Sequence, residues 1–177
     1  MIEKKGWIEG AEIIKSPNFD ERNDDVTLIV IHSISLPPGK YGSNHIDRFF
    51  LNELDSSEDP YFEEISDLKV SSHFLIERTG ILKQFVSTNK RAWHAGESSF
   101  QGKNNCNDFS IGIELEGTDN SAFEDVQYSK LIELTRTLMQ NYPKINKDRI
   151  VGHSFIAPGR KSDPGNFFDW KKYKSEF

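Results

Sequence analysis

Two of the five histidines, His32 and His153, each follow a short apolar run. His32 closes Val26-Thr27-Leu28-Ile29-Val30-Ile31, and His153 follows Ile150-Val151-Gly152. Ten residues beyond His153 stands Asp163, in a segment broken by Pro158, Gly159, Pro164 and Gly165. These residues interrupt any helix or ladder, so the segment must loop, and a loop of that length can return Asp163 to His153. Two imidazoles and one carboxylate make a zinc site with a coordination position left open for water. Lys161 would add a positive charge beside it, and with Arg160 it offers a basic place for an anionic small substrate. Taken alone, the same segment also reads as a surface loop with scattered charges.

The elements that would carry these groups decide between the two readings. The run ending in His32 is β-branched and nearly continuous, as expected of a central strand buried on both faces. A polar residue at the end of such a strand is where α/β folds put site residues. The alternative is a core histidine satisfied by a backbone carbonyl. Ser110-Ile111-Gly112-Ile113-Glu114-Leu115-Glu116 alternates, with Ile111, Ile113 and Leu115 on one face and Gly112, Glu114 and Glu116 on the other. Glutamate is depleted from strands and costly to bury unpaired, so Glu114 needs a partner. It is the general-base candidate, unless that face is simply exposed. Non-haem iron oxygenases also use two histidines and a carboxylate. They usually carry the carboxylate two residues after the first histidine, and Ile34 holds that position here. Zinc hydrolysis therefore fits better: Glu114 would move the proton of water to a leaving amine, and Lys161 would stabilise an oxyanion.

The rest of the chain reads as scaffold and cover. A hairpin is expected from Val70–Arg78 and Ile81–Val86 around Thr79-Gly80. His73 within it could face the site or the core, with a structural or supporting role favoured. Trp93 and His94, beside Gly96, suit contact with a sugar or peptide, or else plug the core edge. Residues 37–69 form a loop-rich insertion with short helices near 46–51 and 61–65, either a lid or substrate wall or a solvated cover. Residues 122–141 predict one helix with a stripe of Leu131, Leu134, Leu138 and Tyr142. Residues 167–173 predict a short aromatic terminal helix.

At 177 residues the chain suits a single domain spanning 1–177. A net charge of −6 argues against nucleic-acid binding. The single Cys106 excludes an intramolecular disulfide and fits a reducing compartment. The first residues lack the apolar core of a secretory signal, and no run approaches the ~18 apolar residues of a membrane span. Cytoplasmic residence and a monomer are the simplest expectations, with no membrane partner.

Several stretches together resemble the zinc-dependent N-acetylmuramoyl-L-alanine amidases. They are Gly6-Trp7, Val30 through Gly39, Lys90 through Gly96, Asn107 through Gly117, Gly152-His153, Ile156-Ala157-Pro158 and Arg160 through Gly165. Their order and spacing cover nearly the whole chain. The resemblance implies an α/β fold with a central mixed β-sheet flanked by helices, and one Zn²⁺ per chain on His32, His153 and Asp163. It makes Glu114 and Lys161 the catalytic pair. It further implies cleavage of the lactyl-amide bond between 1,6-anhydro-N-acetylmuramic acid and L-alanine of muropeptides, in cell-wall recycling in a bacterial cytoplasm. The alternatives are a broad amidase acting on intact peptidoglycan fragments, a non-catalytic muropeptide-binding module, and an unrelated zinc deacetylase.

Overall fold

The computed structural model describes residues 1–2 and 5–177. In chain order its strands are β1 (Glu12–Ile13), β2 (Phe19–Glu21), β3 (Leu28–Ile34), β4 (Phe74–Ile76), β5 (Leu82–Gln84), β6 (Lys90–Ala92), β7 (Ser99–Phe100), β8 (Lys103–Asn104), β9 (Ser110–Glu116) and β10 (Ile150–Gly152). Its helices are α1 (His45–Phe50), α2 (Pro60–Ile65), α3 (Asp125–Asn141), α4 (His153–Ile156) and α5 (Trp170–Lys174). Six strands form one mixed sheet in the order β1-β5-β4-β9-β3-β10. Its middle is parallel, with β9 between β4 and β3 and with β10 on the far side of β3. β5 returns antiparallel on β4. Parallel strands covered on both faces must be apolar throughout, and Leu28, Ile29, Val30 and Ile31 are all fully buried.

The two faces are covered differently. On one, Ile29, Ile31, Ile111, Ile113 and Leu115 pack against Leu131, Leu134 and Leu138 of α3 and Tyr173 of α5. On the other, α1 and α2 bring Phe49, Phe50, Phe62 and Ile65 onto Leu75 and Phe85. A separate cluster sets Phe100, Cys106 and Phe109 against Leu28, Val30 and Val151. Between Leu75 of the first cluster and Val30 of the second, this face carries Glu114 and His32.

Some elements differ from the sequence reading. The hairpin strands are three residues each, and Ser71 N–H, near the start of the expected strand, bonds the Trp93 carbonyl instead of the ladder. Helix α3 starts at Asp125 rather than 122, where Glu124 and Gln127 form a reciprocal capping box. Tyr142 caps its end and is only partly buried, so the stripe closes at Leu138. Asp169 accepts from Lys172 N–H, which starts α5 at Trp170 and leaves Phe167 exposed. β6, which the sequence reading did not expect, pairs with β2, and its charges meet charges across the ladder: Lys90 with Glu21 and Arg91 with Asp20.

Candidate active site

The register of the sheet aligns the site before any loop contributes. β3 and β9 run side by side so that His32 is the direct neighbour of Glu114. β10 pairs Gly152 with Ile31, so His153, the next residue, arrives level with His32. There the chain leaves the ladder into the single turn α4. It turns through Pro158 and Gly159 and comes back to Asp163, whose carbonyl accepts from Ser154 N–H at 3.0 Å. That bond holds the carboxylate beside the two imidazoles.

Three atoms converge. His32 Nδ1 and His153 Nδ1 are 3.0 Å apart, and Asp163 Oδ2 lies 3.1 Å from the first and 3.2 Å from the second. Four ligands around zinc at its usual bond lengths would stand about 3.3 Å from one another. The triangle is within a few tenths of an ångström of that. The far side of His153 agrees: Nε2 faces the Ala95 carbonyl at 3.0 Å, which can only accept, so the proton sits on Nε2 and Nδ1 is bare. Burial lowers the His32 imidazole to about 4 and keeps it neutral. Burial would raise the Asp163 carboxyl, but its place between the His153 and His32 rings outweighs that and holds it well below the usual carboxylate range. Neutral imidazoles with an ionised carboxylate are the forms that ligate a metal, so these residues fit a divalent zinc ion.

Glu114 is buried behind this triangle, with Oε1 4.0 Å from His32 Nδ1. Among the described residues its Oε2 is buried without a hydrogen-bond partner. Burial, and then the Asp163 charge, push its carboxyl well above the ordinary range, while Lys161 pulls it down. All five groups line one cleft of roughly 400 Å³, walled by Phe49, Phe50, Tyr61 and Ile65 of the 37–69 insertion. That segment is therefore both a wall of the cleft and a cover for Leu75.

The remaining candidates separate. Trp93 lines the cleft and donates its Nε1–H to Asp20 at 2.7 Å. His94 lines it too, but both ring nitrogens are engaged by the protein: Nδ1 lies 2.9 Å from His32 Nε2 and Nε2 lies 3.1 Å from Ser110 Oγ. Arg160 is turned away, donating to the carbonyls of Ala95 and Glu97 at 2.6 Å and lining a different hollow with Ser98 and Asn105. His73 accepts from Gly112 N–H at 3.0 Å and directs Nε2 at the Lys90 carbonyl, a structural role.

Other residues of the site carried no sequence signal of their own. Asp119 receives the hydroxyls of Ser33 and Ser162, tying the end of β3 to the loop that presents Lys161 and Asp163. Gly165 backs against it with φ +79°, where a Cβ would meet the Asp119 carbonyl oxygen at 2.2 Å. Asn107 Oδ1 accepts from the N–H groups of His94 and Ala95, at 3.1 and 2.8 Å. A turn residue such as Asp119 and a buried amide such as Asn107 show their partners only once the chain is folded.

Comparison with known proteins agrees with this geometry. The family profile described as N-acetylmuramoyl-L-alanine amidase matches residues 22–166. The chain is 53% identical to the 1,6-anhydro-N-acetylmuramyl-L-alanine amidase AmpD of Haemophilus influenzae over 174 residues, 97% of this chain and 95% of that protein. A crystal structure of a selenomethionine derivative of AmpD superposes with a TM-score of 0.96 at 47% identity, covering 99% of both chains. The Escherichia coli amidase AmiD, solved with anhydro-N-acetylmuramic acid-L-Ala-D-γ-Glu-L-Lys as substrate, gives 0.62 at 28% identity, over 90% of this chain and 65% of that one. With its sheet, its cleft and its sequence in agreement, the chain belongs to the N-acetylmuramoyl-L-alanine amidase family.

Proposed function

We propose that this chain is a zinc amidase that hydrolyses the amide between 1,6-anhydro-N-acetylmuramic acid and L-alanine in muropeptides released during cell-wall recycling. One observation carries the chemistry: three ligand-type atoms within 3.2 Å of each other share a cleft with a buried, unpartnered glutamate oxygen. The substrate reading rests on the likeness to proteins named for the anhydro sugar. His32, His153 and Asp163 hold one zinc ion, which supplies a Lewis acid for the amide carbonyl and a lowered pKa for water. Glu114 takes the proton of the attacking water and delivers it to the amide nitrogen as the C–N bond breaks. Burial raises its carboxyl above the ordinary range, which makes it a stronger base for taking that proton. Lys161 stabilises the negative charge that develops on the carbonyl oxygen. Trp93 and the aromatic wall of α1 and α2 give the sugar an apolar face.

The protein acts as a single domain and a monomer in the bacterial cytoplasm, where muropeptides are soluble fragments. No described helix is long and apolar enough to cross a membrane. The test is mass spectrometry of products from a mixed pool of anhydro and reducing-end muropeptides, with and without a chelator. Chelator-sensitive release of stem peptide from the anhydro species alone is expected. Release from both species would keep the amidase and replace the narrow substrate with a broad one. No release from either by the zinc-loaded protein would leave a muropeptide-binding module.

A further inference from the structure

The far nitrogens of the two histidine ligands end on consecutive residues of one loop. His153 Nε2 reaches the carbonyl of Ala95 and His32 Nε2 reaches the ring of His94. We propose that His94 and Ser110 form a positioning pair that locks His32 in the tautomer with a bare Nδ1, and so set the metal affinity of the site from behind its ligand. This rests on the metal reading given above.

The direction of the chain is fixed at its far end. Ser110 Oγ lies 2.5 Å from the Cys106 carbonyl, which can only accept, so the one hydroxyl proton goes there. Ser110 Oγ must then accept from His94 Nε2–H at 3.1 Å. A neutral imidazole carries one N–H, so His94 Nδ1 is left as an acceptor, 2.9 Å from His32 Nε2. His32 fills that acceptor with its own N–H, and its Nδ1 lone pair is directed at Asp163 and His153. Were Ser110 to donate to His94 instead, its Oγ would stand 2.5 Å from the Cys106 carbonyl oxygen with no proton between them, and the whole chain would reverse.

The fold holds this ring in place. Gly112, in the middle of β9, lies directly beneath it: a Cβ there would stand 2.5 Å from His94 Cγ and 2.8 Å from Ser72 Oγ. Asn107 holds the backbone N–H groups of His94 and Ala95, so one buried amide fixes the supports of both histidine ligands. The mid-strand glycine and the histidine after Trp93 are thus one device. Its part is to orient a ligand, and contact with sugar or peptide is not needed to explain it.

The test compares the parent with His94→Ala, His94→Asn and Ser110→Ala. Zinc affinity is read by competition with a chromophoric chelator, and ligand geometry by the visible spectrum of the cobalt(II)-substituted protein. Loss of the partner of a ligating histidine weakens metal binding by about 10- to 100-fold. His94→Ala is expected to fall in that range with an altered cobalt spectrum. His94→Asn, whose Oδ1 can accept from His32 Nε2–H, is expected to recover most of the loss. Ser110→Ala is expected to lose less, in the same direction. Parental affinity and spectrum in His94→Ala would overturn the proposal, as would a His94→Asn as weak as His94→Ala. Should His94→Ala fail to fold, parental behaviour of Ser110→Ala would overturn it alone. A parent that binds no zinc would instead overturn the metal reading beneath it.

Discussion

The two faces of β9 are equally buried and do opposite work. All seven residues from Ser110 to Glu116 are buried. On one face Ile111, Ile113 and Leu115 pack in an apolar cluster with Leu131, Leu134 and Leu138 of α3 and residues of the neighbouring strands. On the other, Ser110 supports His94, Gly112 makes room for it, Glu114 enters the cleft and Glu116 accepts from Gly42 N–H and Arg78 N–H. Burial therefore does not distinguish scaffold from site in this strand. The distinction lies in what each side chain meets: carbon on one face, and a polar group of distant origin on the other.

Substitutions can break that contrast in either direction. Glu114→Ala should retain the metal and lose turnover by roughly 10²-fold or more, measured as stem-peptide release. Wild-type rates would remove Glu114 from the mechanism. Ile113→Ala, one residue away, should do the reverse. It should cost about 2–5 kcal/mol in denaturant unfolding, with near-parental activity per folded molecule. A large loss of intrinsic activity there would show that the apolar face also sets site geometry. Glu116→Gln keeps one neutral acceptor oxygen of two, so one backbone N–H keeps an uncharged acceptor and the other faces an NH2. A loss of about 1–3 kcal/mol is expected, with KM affected more than kcat, because Gly42 belongs to the segment that walls the cleft.

The same contrast is testable through pH. Burial raises the Glu114 carboxyl in the folded metal-free protein, so the folded state binds its proton more tightly than the unfolded state. Stability from this group is present below the unfolded value near 4.5 and is lost as pH rises through the raised value. Glu114→Gln should remove that loss, with the metal-free variant melting a few degrees above its parent at pH 8 and no higher at pH 4. His73 behaves in the opposite sense. Burial, helped by Arg22, lowers it to about 3. Its contribution is whole above the unfolded value of about 6.5 and falls by up to about 1.4 kcal/mol per pH unit as pH drops toward 3. A His73→Asn variant with an unchanged acid limb would contradict this.

Much of the site could be read from sequence because its parts are local. His32 and His153 end runs whose composition already demands buried strands, and the proline and glycine pairs force the return that brings Asp163 back. Glu114 stood out because a carboxylate interrupts an apolar alternation. What sequence could not supply was partnership at long range. The rings of His94 and His73 belong to one buried layer around Gly112, and Trp93-His94 alone gives no sign of it. Arg160 lies beside Lys161 in the chain, yet it turns toward the Ala95 and Glu97 carbonyls, because the loop between Ala157 and Asp163 is tight enough to point successive side chains apart. β6 was invisible for a similar reason: Lys90-Arg91-Ala92 becomes a strand only because Asp20 and Glu21 stand opposite.

The most direct test of the account is the metal content of the purified protein and of its Asp163→Ala variant, measured by mass spectrometry of the element beside the amidase assay. One zinc per chain is expected in the parent, and loss of both metal and turnover in the variant. Full zinc occupancy with normal turnover in Asp163→Ala would contradict the assignment of the triangle formed by His32, His153 and Asp163.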